Sequence, residues 1–159
     1  VVDVIHTNEV VQVTQFVMAK CPMTTSLHLN FARTVMSNPS LRRVVNFTQS
    51  FVGGPVGEGP VNETNWMYCY HGDSECVGHT TMLCAKEVNK RMNLDLMKTQ
   101  MKPNLDAIDD YAWFDMITCM NCGGPGYNIT SCEGIEGVTY NNPKAIPENA
   151  QGCAESVGL

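Results

Sequence analysis

A chain of 159 residues with 43% hydrophobic content has room for one domain with a real core and is too short to expect two. A formal net charge of -6 and a pI near 5.1 give a surface that repels phosphate backbones, which argues against nucleic-acid binding. No window holds the ~18 consecutive apolar residues of a membrane span, and the start at Val1-Val2-Asp3 reads as a mature, processed N-terminus.

Residues 10–18 are rich in β-branched and aromatic side chains and read as a largely buried strand, since both faces carry apolar groups. This strand runs straight into Lys20-Cys21-Pro22. A helix is predicted over 24–36, with Leu27, Phe31, Val35 and Met36 as its apolar face, Pro22 suited to the first turn and Asn38-Pro39 as the stop. Residues 44–52 form the second predicted strand. Val45, Phe47 and Phe51 fall on one face, and Asn46, Thr48 and Ser50 on the other. Residues 53–60 are a Gly/Pro loop. Residues 80–101 read as helical, with Met82, Leu83, Val88, Met92, Leu96 and Met101 as apolar candidates, and Pro103 ends the run. A further helix is predicted over 105–119 through Leu105, Ile108, Ala112, Met116 and Cys119, followed by a turn at Gly123-Gly124-Pro125-Gly126. From Gly134 onward the chain reads as mostly irregular, and there is no internal repeat. Strand, helix and strand make a right-handed βαβ unit. A cysteine at its first strand-to-helix turn meets free N–H groups and the positive end of the helix dipole, both of which favour an anionic sulfur.

The eight cysteines are Cys21, Cys69, Cys76, Cys84, Cys119, Cys122, Cys132 and Cys153. Eight allow 105 full pairings, so connectivity is open at this level. Three N-glycosylation sequons begin at Asn46, Asn62 and Asn128, while Asn38-Pro39-Ser40 is excluded by its proline. Together they place the chain in the secretory pathway, secreted or lumenal, in an extracellular or lysosomal setting, with N-linked glycans.

Residues 69–84 read Cys-Tyr-His-Gly-Asp-Ser-Glu-Cys-Val-Gly-His-Thr-Thr-Met-Leu-Cys. This run resembles the signature of the gamma-interferon-inducible lysosomal thiol reductase (GILT) family: Cys-Gln-His-Gly, two residues, Glu-Cys, two residues, Asn, four residues, Cys. Cys69, His71, Gly72, Glu75, Cys76 and Cys84 match in position, Tyr70 replaces the Gln and His79 replaces the Asn. The strand before Cys21-Pro22, the strand and Gly turn before the signature, and Asn149-Ala150-Gln151 extend the resemblance over nearly the whole chain. It implies an α/β, thioredoxin-like fold with a helical, disulfide-rich insertion. A single domain over 1–159 then divides into a βαβ half, 1–54, and a cysteine-rich helical region, 55–159. The resemblance also implies reduction of protein disulfides in an acidic lumen without a cofactor. Cys69, Cys76, Cys84, Cys119, Cys122, Cys132 and Cys153 are then signature or structural disulfide cysteines, with His71, Gly72 and Glu75 as signature residues.

Two departures bear on that activity. The motif reads Cys21-Pro22-Met23-Thr24, with Thr24 where the family has its resolving cysteine. Cys21 is a candidate monothiol nucleophile resolved by an external thiol, with Thr24 available to hydrogen-bond its sulfur; the alternative makes Cys21 a relic or a structural disulfide partner. The family also continues through a Pro-bearing strand, a hairpin partner and a last helix. No equivalent segment follows Asn149-Ala150-Gln151 here: either the C-terminal part was removed or is not represented, or another chain or segment completes the sheet.

Other constellations have plainer readings. Cys119-Met120-Asn121-Cys122 is the one Cys-x-x-Cys, and its place at a helix end favours structural cysteines over a redox pair. Cys69, His71, Cys76 and His79 are chemically suited to zinc, but the signature assigns those cysteines to disulfides, so no metal is expected. His6 and His28 read as surface or packed histidines, the methionines as core packing, and Asp109-Asp110 as a solvated helix face. Two functions follow: a weakened or monothiol GILT-like oxidoreductase acting on protein disulfides, or a catalytically inactive secreted glycoprotein with a structural or binding role in a larger assembly.

Overall fold

The computed structural model describes residues 10–55, 67–99, 109–132 and 145–159. The fold is mixed α/β and mostly helical. In chain order it runs β1 (Val11–Val17), α1 (Pro22–Phe31) with a π-helical extension (Ala32–Met36), α2 (Pro39–Arg42), β2 (Val45–Phe51), a short hairpin of β3 (Gly54–Pro55) and β4 (Met67–Tyr68), α3 (Asp73–Thr99), α4 (Ala112–Asn121) and α5 (Ala145–Ser156). β1 and β2 are parallel, in register from Val11 opposite Val45 to Val17 opposite Phe51, so the predicted βαβ unit is present. β3 and β4 pair antiparallel, and a Cβ at Gly54 would run into the Tyr68 ring.

Among the described residues, one face of the parallel sheet is covered and the other is not. Gln15, Val17, Val45, Phe47 and Gln49 turn inward. Gln12, Thr14, Phe16, Asn46 and Ser50 face outward and are exposed, Phe16 by 72%. This corrects the expectation that both faces of β1 are buried. The alternation along β2, and the exposed position of Asn46, are as the sequence predicts.

α4 is the central element. It buries nine of its ten residues, as a helix apolar on all sides must. Phe114 stacks on His28 at 4.2 Å between centroids and meets Phe47 edge-on at 5.2 Å, while Phe47 stacks on Phe31 at 4.8 Å. Two disulfides lock the C-terminal part: Cys119–Cys153 ties α4 to α5, and Cys122–Cys132 closes the loop that follows α4.

The predicted helix faces need correction in three places. In α1 the buried residues are His28 and Leu29, and Leu27 is exposed. In α3 the buried stripe is Glu75, Gly78, His79, Met82, Ala85, Asn89 and Asn93, while Leu83, Val88 and Met92 face solvent. The asparagines win that face because they are acceptors and donors for the turn before α4. Asn89 and Asn93 donate to the Asp109 carbonyl at 2.8 and 3.1 Å, and Asn89 accepts from the Trp113 N–H at 3.3 Å. Residues 145–156, which the sequence pattern presents as irregular, are helical in α5. Leu105, Ile108 and Met101 lie outside the described residues, as do His6 and Asn62.

Asp109 and Asp110 are not a plain solvated face. Asp109 accepts from Arg42 at 2.9 Å and from the Tyr111 N–H at 2.9 Å, and Asp110 accepts from Asn93 at 3.0 Å. Met36, Met82, Met116 and Met120 are core methionines, whereas Met23, Met92 and Met97 are exposed.

His28 is 1% exposed and stays neutral. Thr118 donates to the Phe114 carbonyl, so its hydroxyl oxygen receives the His28 Nε2–H at 2.9 Å, and Nδ1 accepts from the Gln49 amide at 3.3 Å. Burial pushes its pKa from 6.5 to about 3. The unfolded chain takes up this proton below pH 6.5 and the folded chain does not, so stability falls as pH drops from 6.5 toward about 3. The slope reaches about 1.4 kcal/mol per pH unit. Urea unfolding of His28→Gln against the parent over this range should show that slope much reduced. Phe114→Ala should lower stability by about 3–5 kcal/mol at any pH.

Candidate functional site

The site begins where β1 ends. Its chain turns through Met18, Ala19 and Lys20, with the Cys21 N–H donating to the Met18 carbonyl at 3.0 Å. Cys21 then serves as N-cap of α1, its φ of -82° and ψ of 121° still extended. Pro22 supplies the first helical residue, where a missing N–H costs nothing. The Thr25 N–H closes the first helical bond on the Cys21 carbonyl at 3.0 Å. Cys21 is a free thiol and half-buried. The Thr24 hydroxyl accepts from the Met18 N–H at 3.4 Å, which ties it to the turn.

A second segment holds this turn in place. β4 leads into Cys69, Tyr70 and His71, and Gly72 takes a φ of +82°, which suits glycine, before α3 starts. Cys69 and Cys76 close this bend with a disulfide. Glu75, on the first turn of α3, has no exposed surface. Its carboxylate accepts from His71 Nδ1 at 2.6 Å, from the His71 N–H at 3.2 Å and from the Lys20 N–H at 3.2 Å. Burial alone would raise the Glu75 pKa, but the bonds from the His71 ring, the His71 backbone and the Lys20 backbone outweigh it and hold the carboxyl below its usual range. One turn further along α3, His79 Nε2 accepts from the Ala19 N–H at 2.9 Å. The Lys20 side chain, itself buried, donates to Ser74 Oγ at 3.0 Å and to the His71 carbonyl at 3.5 Å.

The structure thus brings Cys21, Thr24, His71, Gly72, Glu75, Cys69 and Cys76 into one region and leaves the other cysteines elsewhere. Cys84 is free and exposed, which corrects its assignment to a structural disulfide. It lines an apolar groove of about 650 Å³ formed by α3, Met116 and α5, to which α1 contributes nothing. Cys119 and Cys122 bond to different partners, Cys153 and Cys132, so the Cys-x-x-Cys spacing is not a redox pair here. The Cys69–Cys76 bond likewise removes both thiolates from any zinc set. Lys20, Ser74 and His79 belong to the site; the sequence does not single out Lys20 or Ser74, and presents His79 as a signature position and a possible zinc ligand rather than a partner of the turn. Nothing in the spacing shows that Lys20 reaches across to Ser74.

The GILT description, gamma interferon inducible lysosomal thiol reductase, matches residues 12–156. The chain belongs to the GILT family. Comparison with curated proteins gave no match, and comparison with solved structures gave none. In this GILT-family chain the signature therefore has a physical task that can be read off the hydrogen bonds. Its Glu and the residue four positions later clamp two successive N–H groups immediately before Cys21. Three disulfides fit an oxidising compartment, and among the described residues no helix is long and apolar enough to cross a membrane.

Glu75→Ala strands the Lys20 and His71 donors in a dry site and should cost about 2–4 kcal/mol in denaturant unfolding. Because the folded-state pKa of Glu75 is depressed, its contribution is complete above the ordinary 4.5 and is lost as pH falls below it. Alkylation of the non-reduced protein, followed by peptide mapping, should label Cys21 and Cys84 and leave the other six cysteines paired as above.

Proposed function

We propose that this chain is a thiol–disulfide oxidoreductase of the secretory or lysosomal lumen, acting on protein disulfides through Cys21 as a single nucleophile. The observation that carries this reading is the free Cys21 thiol at the N-terminus of α1, on a turn clamped by Glu75 and His79, in a chain where six other cysteines are locked in disulfides. The ten-residue helix leaves N–H groups of its first turn without helical partners at the end where Cys21 stands as N-cap.

The reaction needs no second cysteine in the chain. The Cys21 thiolate attacks one sulfur of a substrate disulfide, forms a mixed disulfide and expels the other sulfur as a thiolate, which takes up a proton. An external thiolate attacks the Cys21 sulfur and releases the substrate's second thiol. A further external thiol regenerates Cys21 and leaves as a disulfide. One substrate disulfide is reduced and two external thiols are oxidised. Thr24 cannot shortcut this sequence, since an alcohol is not a nucleophile toward sulfur at lumenal pH. The high effective concentration of an internal resolving thiol is lost.

The same reading takes the βαβ unit, residues 1–54, as half of a thioredoxin-like fold and residues 55–159 as its helical region within one domain. It takes Asn46, Asn62 and Asn128 as glycan carriers. Asn46 and Asn128 are exposed, and the Asn128 side chain accepts from Thr130 at 2.7 Å. This reading also has a further segment or chain completing the two-stranded sheet. The second reading, an inactive glycoprotein in an assembly, draws on Thr24, an alcohol bonded to the Met18 N–H, standing where the family has its resolving cysteine.

Insulin reduction with excess small thiol decides between them. The parent should turn over, Cys21→Ser should not, and Cys84→Ser should match the parent. Thr24→Cys should raise the rate by about tenfold or more through intramolecular resolution. No rate above that of Cys21→Ser establishes the inactive reading.

A further inference from the structure

We infer that His79 is a positioning residue for Cys21, and that protonation of its ring releases the turn that carries the cysteine. The geometry fixes the tautomer. The Ala19 N–H is a donor, so the Nε2 atom 2.9 Å away must present a lone pair. The ring proton then lies on Nδ1, 3.6 Å from the Cys69 sulfur. A second proton placed on Nε2 sets an N–H against the Ala19 N–H. The bond turns into a clash of two donors, and Ala19 is 3% exposed, with no water at hand to replace the acceptor. The neighbouring Lys20 N–H stays on Glu75, so the turn loses one of the two α3 side chains that hold it.

Among the described residues, these groups face the ring. Glu75 and His71 stand on the same bend, and Lys20 and Cys21 belong to the turn itself. β2 contributes the Phe51 ring at 4.7 Å and β4 leads into the Cys69–Cys76 disulfide, neither of which titrates. Burial lowers the His79 pKa below 6.5, the Glu75 charge pulls it back up and His71 lowers it further. The ring is therefore neutral near pH 7 and gains its proton in the acidic range. A carboxamide at this position would accept the same N–H without titrating. This chain instead carries an acid-sensitive acceptor. The release of the turn does not depend on what Cys21 does; its effect on turnover rests on the reductase reading.

The test follows the Ala19 and Lys20 amides by NMR hydrogen exchange, as protection factors, from about pH 7 downward until the His79 ring resonance has titrated. In the parent, Ala19 protection should fall roughly tenfold with the same midpoint as the His79 ring resonance. His79→Gln, whose side-chain amide reaches to the place of Nε2, should keep its protection throughout, and His79→Ala should lack it throughout. If substitution disturbs folding, the shared midpoint of the Ala19 amide and the His79 ring in the parent is sufficient. Flat Ala19 protection in the parent overturns the inference. An equal fall in His79→Gln also overturns it and moves the sensor to Glu75 or His71. In turnover assays the parent should show an acid limb in kcat/KM that His79→Gln lacks; identical profiles overturn the positioning role. Absence of turnover in the parent sinks the reductase reading alone, and the amide exchange then decides the role of His79.

Discussion

A carboxylate with no exposed surface joins two stretches of chain 55 residues apart. Placing such a charge in a dry interior is costly unless its lone pairs are filled. Glu75 fills them from one side with the His71 ring and backbone and from the other with the Lys20 N–H. The β1–α1 turn and the bend before α3 therefore cannot be placed independently. Once Glu75 is satisfied, Lys20 is delivered to Ser74, Ala19 to His79, and Cys21 to the end of α1. The Cys69–Cys76 disulfide fixes the bend that makes this possible.

Around that clamp the rest of the molecule acts as support. α4 packs its aromatic residues against Phe47 of β2 and Phe31 of α1, which holds the βαβ unit at its covered face. Arg42 reaches both Asp109 and Asp115 at 2.9 and 2.8 Å and lies over the Tyr111 ring, so the turn before α4 is tied to the connection between α1 and β2. Tyr111 also donates to the Val45 carbonyl. A mostly helical body thus holds a two-stranded sheet that has little strength of its own.

Much of this is legible in the sequence, and the reasons it is not elsewhere are specific. The strands and the Cys21-Pro22 turn are local signals, set by β-branched residues and a proline. The alternation in β2 is visible in the sequence because one face meets the core and the other meets solvent. The second half of α3 is misleading because hydrophobic periodicity cannot show a buried face made of asparagines, whose partners are backbone groups at Asp109 and Trp113. α5 escapes a reading by periodicity because Pro147, Asn149 and Gly152 give the segment the composition of a loop. The signature at 69–84 locates the site, yet only the folded chain shows that its Glu and His address backbone N–H groups rather than a substrate. Cys84 matches the same signature and lies on a different groove.

The burial of Cys119 and Cys153 has a consequence for durability. Both sulfurs have no exposed surface, whereas Cys21 is half-open to solvent. Thiol exchange requires an attacking sulfur to approach along the axis of the bond it breaks, so access decides which disulfide in a mixture is consumed. Small thiols in solution therefore reach the α4–α5 strap less readily than they reach Cys21 or the exposed Cys84. Concealment shields the strap between the two helices from thiol exchange.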